Sequence, residues 1–245
     1  MRTRLFRCCD VLRGSCFDPS TSSGQAQLSM TYQQLSLRYT FHMNGFTKDE
    51  LRIFRALSTP RKIQDFLDTI PMNFEEEGDT CLSPRRVLRE RRAHCMEGAM
   101  FAAAALRFAG YPPLVIDLKA SDYDHDHVVA VFQSNKCWGA ISKTNHGVLR
   151  YREPIYQSIR ELVMSYFHEY TLDDGSKTLR SYTLPINLSR FDRMGWMTAE
   201  EDVWFVPNTL DSLRHLPILT RSQIAGLRKA DPIERKIGKI LEWRK

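Results

Sequence analysis

Residues 91–110 read Arg-Arg-Ala-His-Cys-Met-Glu-Gly-Ala-Met-Phe-Ala-Ala-Ala-Ala-Leu-Arg-Phe-Ala-Gly, and every residue from Ala99 to Leu106 is apolar. A helix with apolar residues on every side has no face for solvent, so this stretch predicts a helix buried at the centre of a domain. Four consecutive alanines favour that helix, because alanine has the highest helix propensity. Gly110 and the proline pair shortly after it are expected to end the helix.

Cys95 stands at the predicted start of this helix. The free N–H groups and the dipole at a helix N-terminus stabilise a thiolate, and Arg91, Arg92 and His94 add positive charge nearby. A nucleophilic cysteine also needs a base, and His127 opens the next apolar strand. The alternative is that Cys95 is a small buried apolar residue of the core. The pattern of charges favours the nucleophile.

These residues resemble the core of the transglutaminase-like superfamily, a branch of the papain-like thiol enzymes. In that family a cysteine opens a buried, alanine-rich helix, a histidine opens the following strand, and an aspartate follows the tryptophan of the next strand. Cys95 with residues 96–110 matches the first part, and His127-Val-Val-Ala-Val-Phe matches the second. Trp138-Gly-Ala-Ile-Ser142 occupies the third, but serine stands where the family has aspartate. The resemblance covers residues 84–145.

The resemblance implies a thiol acyl-transfer enzyme, an amidase, peptidase or acyltransferase, that acts on a peptide or protein amide through a thioester and needs no cofactor. Cys95 would attack and His127 would shuttle the proton. Either Ser142 or Asn145 would orient His127, since an asparagine fills this position in papain-like enzymes. Because neither side chain carries a negative charge, a catalytically weak or inactive peptide-binding module on the same fold is the alternative.

Trp138, His146 and Arg150 lie close to these positions in the sequence and are expected to line the substrate groove. An ordinary polar loop is the alternative for the last two.

Asp124-His125-Asp126-His127 suggests a different chemistry. On a strand, His125 and His127 would share one face, which is a spacing used for metal binding, and His146 could join them. No third ligand has diagnostic spacing, so no metal site is assigned, and a metal-dependent hydrolase remains the less favoured alternative.

Composition limits the partners. The chain has 245 residues, 42% of them hydrophobic, and a formal net charge of +6. Its arginine clusters lack interleaved aromatic residues, so they are interpreted as solvated surface and a nucleic-acid partner is not expected. No apolar run approaches the length of a membrane span and no signal-peptide core is present, which indicates a cytoplasmic protein. The six cysteines form no CxxC pair and are expected to be free thiols.

The order of patterns predicts an α+β class with a mostly antiparallel sheet, because helical patterns precede a series of strands. Residues 1–30 are predicted to be a disordered extension, residues 31–218 the transglutaminase-like domain, and residues 219–245 a basic helical segment. A weak strand is predicted at residues 31–41. Further elements predicted are helices at 48–57, 60–70, 84–89, 155–170, 219–228 and 232–243, and strands at 114–118, 127–133, 137–141, 178–184 and 203–206.

Overall fold

The computed structural model describes residues 45–244, which belong to one compact unit. The predictions for residues 1–30 and 31–41 lie outside the described residues. The helices are α1 Lys48–Ala56, α2 Pro60–Asp68, α3 Pro84–Glu90, α4 Cys95–Phe108, α5 Ile159–Met164, α6 Phe205–Ser212, α7 Arg221–Ala225 and α8 Pro232–Gly238, with a 3₁₀-helix at Leu188–Met194. The strands are β1 Leu114–Lys119, β2 His127–Ser134, β3 Cys137–Ile141, β4 Arg152–Tyr156, β5 Ser181–Thr183, β6 Ile186–Asn187 and β7 His215–Pro217. Within residues 45–244, no helix has the length and apolar character needed to cross a membrane.

Within the described residues, the strands form one seven-stranded sheet in the order β4-β3-β2-β1-β5-β7, with β6 also paired to β1. Each named pair is antiparallel. Helices and an antiparallel sheet together confirm the predicted α+β class.

The central helix α4 is buried on all sides, as the sequence predicts. Every residue from Met96 to Leu106 is buried. The helix packs on one face of β1 and β2, where Val128 and Phe132 point toward it, and is covered on its other side by α1 to α3. It ends at a left-handed Gly110 with φ 91°, a conformation that glycine adopts without steric cost. The first turn of α4 therefore begins a helix that is packed on both sides.

Gly98, in the first turn of α4, allows a close approach to Lys143. A Cβ at position 98 would lie 2.3 Å from the Lys143 Cβ. Lys143 is 1% exposed, and its ammonium donates hydrogen bonds to the carbonyls of Leu67 and Ile70 at the end of α2. The lysine thus places a donor on carbonyls at the C-terminal end of a helix. It also fixes the loop after β3 against both helices.

Two element predictions are wrong. The predicted helix 155–170 begins instead as strand β4, and helix α5 starts only at Ile159, where Ser158 Oγ accepts from the Glu161 N–H. The predicted strand 203–206 is replaced by α6 from Phe205. In both places a short apolar run fits either period, and tertiary packing decides.

Candidate active site

Cys95 is the first residue of α4 and is partly exposed. Its backbone N–H belongs to the first turn, whose amides have no acceptor within the helix. The N-cap is His94, whose N–H donates to Glu97 Oε2 at 2.9 Å. The thiol therefore stands at the positive end of a buried 14-residue helix, within reach of solvent.

His127 and Ser142 meet where β2 begins and β3 ends. His127 Nε2 lies 2.8 Å from Ser142 Oγ, and that hydroxyl lies 2.5 Å from the Leu149 carbonyl oxygen. A carbonyl only accepts, so the Ser142 hydroxyl donates its single proton to Leu149. Ser142 Oγ must then accept from His127 Nε2–H. This assignment leaves Nδ1 of the neutral ring unprotonated, as the nitrogen that can take the proton of the thiol.

Long-range contacts hold Ser142 and Leu149 in place. The Gln64 side chain on α2 pairs with the Ser142 backbone, donating to its carbonyl and accepting from its N–H, both at 2.9 Å. Leu149 has a φ of 60°, unusual for a residue with a side chain. Its N–H donates to Glu169 Oε2 at 2.6 Å, and Glu169 is paired with Arg152 at 2.7 Å. These contacts aim the Leu149 carbonyl at Ser142.

The surroundings of Cys95 favour its thiolate. Burial raises the pKa of the thiol, but hydrogen bonds and positive charge from His127 and His94 outweigh burial and lower the pKa to about 5. Cys81 provides the contrast within the same chain. Burial and the nearby carboxylates of Glu97 and Asp202 raise the pKa of the Cys81 thiol far above its usual range.

His94 and Glu97 are functional candidates that the sequence analysis did not identify as a pair. Glu97 is fully buried and accepts from four donors: Asn73 Nδ2, Thr80 Oγ1, Leu82 N and His94 N. His94 directly precedes Cys95, and its imidazole and the thiol each favour the charged form of the other. The signal in the sequence was a cap residue with glutamate three positions later, the pattern of a capping box.

Asn145, expected as an alternative partner for His127, has different partners. Its side chain accepts from the Trp243 N–H at 2.8 Å and donates to the Trp243 carbonyl at 3.0 Å. Its carbonyl accepts from the Glu242 N–H at 2.9 Å. The structure therefore brings Ser142 to His127 and directs Asn145 to the C-terminal segment.

The three residues expected in the substrate groove are also engaged elsewhere. His146 Nδ1 lies 2.7 Å from the Gly238 carbonyl, and Arg150 pairs with Glu242 at 2.6 Å. Trp138 lies near the opposite end of β3 from Ser142 and packs against the core on the sheet face away from α4. Their contacts hold the C-terminal segment and the sheet.

His125 and His127, considered together for metal binding, do not lie on the same strand. Strand β2 begins at His127, so His125 lies in the exposed loop before it. In the described part of the chain, a group that could hold a metal consists of Asp117, Asp126 and Asp211, with oxygens within 4.8 Å of one another. Lys119 Nζ already lies 2.5 Å from Asp126 and supplies positive charge there.

Ser142→Ala tests the hydrogen-bond relay that runs from His127 Nε2 through the Ser142 hydroxyl to the Leu149 carbonyl. The change removes the acceptor of His127 Nε2–H, so both tautomers become accessible and the rate of Cys95 acylation should fall by about tenfold to a hundredfold. Thr144→Val is the matched control, because it removes a hydrogen bond to the His146 N–H in the same loop and leaves the relay intact. Equal rates for Ser142→Ala and wild type would show that Ser142 does not orient the ring.

In comparisons with known proteins, the sequence matches no family model and no curated protein.

Proposed function

We propose that this chain is a cysteine-dependent acyl-transfer enzyme of the transglutaminase-like, papain-like type, acting on a peptide or protein amide through a thioester. The observation that carries the proposal is the arrangement of Cys95 at a helix N-terminus near His127, which lowers the pKa of the thiol and whose Nε2 donates to Ser142. A structural cysteine has no need of a depressed pKa or of an oriented imidazole.

The first half-reaction follows from these positions. The Cys95 thiolate attacks the amide carbon and forms the C–S bond, while the carbonyl oxygen takes the negative charge. First-turn N–H groups of α4, that of Cys95 among them, are suited to stabilise this oxyanion. The C–N bond then breaks, and protonated His127 gives its proton to the leaving amine.

In the second half-reaction a water or an amine attacks the thioester. Neutral His127 accepts the proton of that nucleophile, the C–S bond breaks, and the thiolate is regenerated. A carboxylic acid or a new amide leaves the site, depending on the nucleophile.

Acylation by p-nitrophenyl acetate tests the proposal. Wild-type protein should release a burst of p-nitrophenol equivalent to the enzyme present and carry one acetyl group on the Cys95 peptide in mass spectra. Cys95→Ser should give no burst, and Cys137→Ser, which removes another partly exposed thiol, should behave like wild type. Adding hydroxylamine should divert the thioester to a hydroxamate, which separates acyl transfer from hydrolysis.

A peptide-binding module is the second candidate, favoured by one observation: the group on His127 Nε2 is a neutral hydroxyl rather than a carboxylate. A hydroxyl stabilises an imidazolium less than a carboxylate does. Absence of Cys95 acetylation above the level of the Cys95→Ser variant would overturn the enzyme proposal and leave the binding module. Activity lost to a chelator and restored by zinc would favour the metal-dependent hydrolase.

A further inference from the structure

His94 directly precedes Cys95, so a second imidazole lies near the thiol and contributes to lowering its pKa. Three acceptors face its Nε2: the Thr80 carbonyl at 3.1 Å, Glu97 Oε1 at 3.4 Å and Glu75 Oε1 at 3.6 Å. Such surroundings require a proton on Nε2 and favour a positive charge on the ring.

The other nitrogen of His94 can exist in two states. Nδ1 lies 3.3 Å from the Met96 N–H, which it accepts when the ring is neutral. A charged ring donates from both nitrogens, so protonation of Nδ1 gives up the hydrogen bond from the Met96 N–H. In return it places a positive charge beside the Cys95 thiolate. Burial lowers the pKa of His94, but the hydrogen bond to Cys95, the negative charge of Glu97 and the Thr80 carbonyl raise it to about 9.

We propose that His94, charged by Glu97 and Glu75, is the standing counter-ion of the Cys95 thiolate, so that His127 is free to carry the moving proton. The inference rests on the proposed thiol chemistry and deepens it. The carboxylate that is absent at position 142 is present behind the other imidazole, where Glu97 is fully buried with four hydrogen-bond donors. The thiolate then keeps a cation whichever protonation state His127 is in. It is also a better leaving group when the thioester is resolved.

His94→Asn and His94→Ala separate charge from helix capping. Asparagine is a good N-cap and keeps an acceptor for the Met96 N–H, whereas alanine removes both the cap and the charge. The readout is the pH profile of Cys95 alkylation by iodoacetamide, followed on the Cys95 peptide, with Cys81 as an internal control because its buried thiol reacts only when the fold opens. Both variants should move the midpoint of the profile upward by about one pH unit or more. Alkylation should therefore fall by about tenfold at a pH below the wild-type midpoint, and by only about twofold at pH 6, where the wild-type thiol is already almost fully ionised.

A purely structural capping residue would behave differently. It would lower the melting temperature in His94→Ala, leave His94→Asn as stable as wild type, and shift the alkylation midpoint in neither; that result overturns the inference. The acetylation burst is measured on the same samples. A shifted midpoint without any burst in wild type would uphold His94 as the counter-ion while refuting the acyl-transfer proposal.

A second measurement needs no His94 variant, and it tests the proposal even if His94→Asn and His94→Ala both fail to fold. In protein with labelled histidine rings, nuclear magnetic resonance should show His94 protonated through neutral pH in wild type. In Cys95→Ser, where the thiolate is absent, the same resonance should titrate at lower pH. An identical His94 titration in the two proteins would contradict the proposed ion pair.

Discussion

Replacing His127 with alanine should lower the rate of Cys95 acylation and deacylation by about a hundredfold to ten-thousandfold. The change removes the group that gives and accepts protons in both half-reactions, and it removes one of the two imidazoles that lower the pKa of Cys95. The loss should therefore be larger in deacylation, which needs a general base for the attacking water, than in simple alkylation, which needs a thiolate but no proton transfer. The slow phase after the p-nitrophenyl acetate burst reports deacylation, and iodoacetamide labelling, run beside it, reports alkylation.

His168→Ala is the matched control, since it removes an exposed imidazole whose ring packs on Phe167. It should retain the wild-type burst and the wild-type deacylation rate. If His127→Ala also retained the wild-type deacylation rate, the proton would travel through another group, and His94 would be the first to examine.

Ala103→Asp should destabilise the fold by about 3–5 kcal/mol, because it buries a carboxylate without a partner. Ala103 is fully buried in the middle of α4, between the sheet and the surrounding helices. Urea denaturation followed by circular dichroism measures the change in the free energy of unfolding. Ala225→Asp, at an exposed position near the end of α7, should shift that free energy by only a few tenths of a kcal/mol. A stable Ala103→Asp protein would mean that α4 has an open face.

The features that the sequence predicted are those with a local physical cause. A helix that is apolar on every side, as α4 is from Ala99 to Leu106, must be buried, and Cys95 is its first residue, as predicted. The predicted helix starts at residues 48 and 84 also agree with α1 and α3, whose N-caps are Thr47 and Ser83. These signals involve residues within one or two helical turns of each other.

The features that the sequence analysis missed depend on distant partners or on backbone atoms. Asn145 binds Trp243 across 98 positions, and Gln64 binds Ser142 across 78. No spacing rule connects such pairs. The Leu149 carbonyl, which fixes the orientation of the Ser142 hydroxyl, belongs to the backbone and could come from any residue type. Its position is set by a left-handed backbone conformation that leucine rarely adopts.

The Cys95–His94 pair also fixes how the proton content of the chain changes on folding. The pKa of the thiol falls from its ordinary 9.0 to about 5, and the pKa of the imidazole rises from 6.5 to about 9. The thiolate contribution to stability is complete above the ordinary thiol pKa and is lost as pH falls through about 5. The imidazolium contribution of His94 is complete below pH 6.5 and is lost as pH rises through about 9.

Near neutral pH the pair holds one proton in either state of the chain: on the Cys95 sulfur when the chain is unfolded, and on the His94 ring when it is folded. Folding therefore moves one proton from Cys95 to His94, and the pair exchanges none with the buffer. Between pH 6.5 and pH 9.0 the pair should then make no contribution to the pH dependence of the free energy of unfolding.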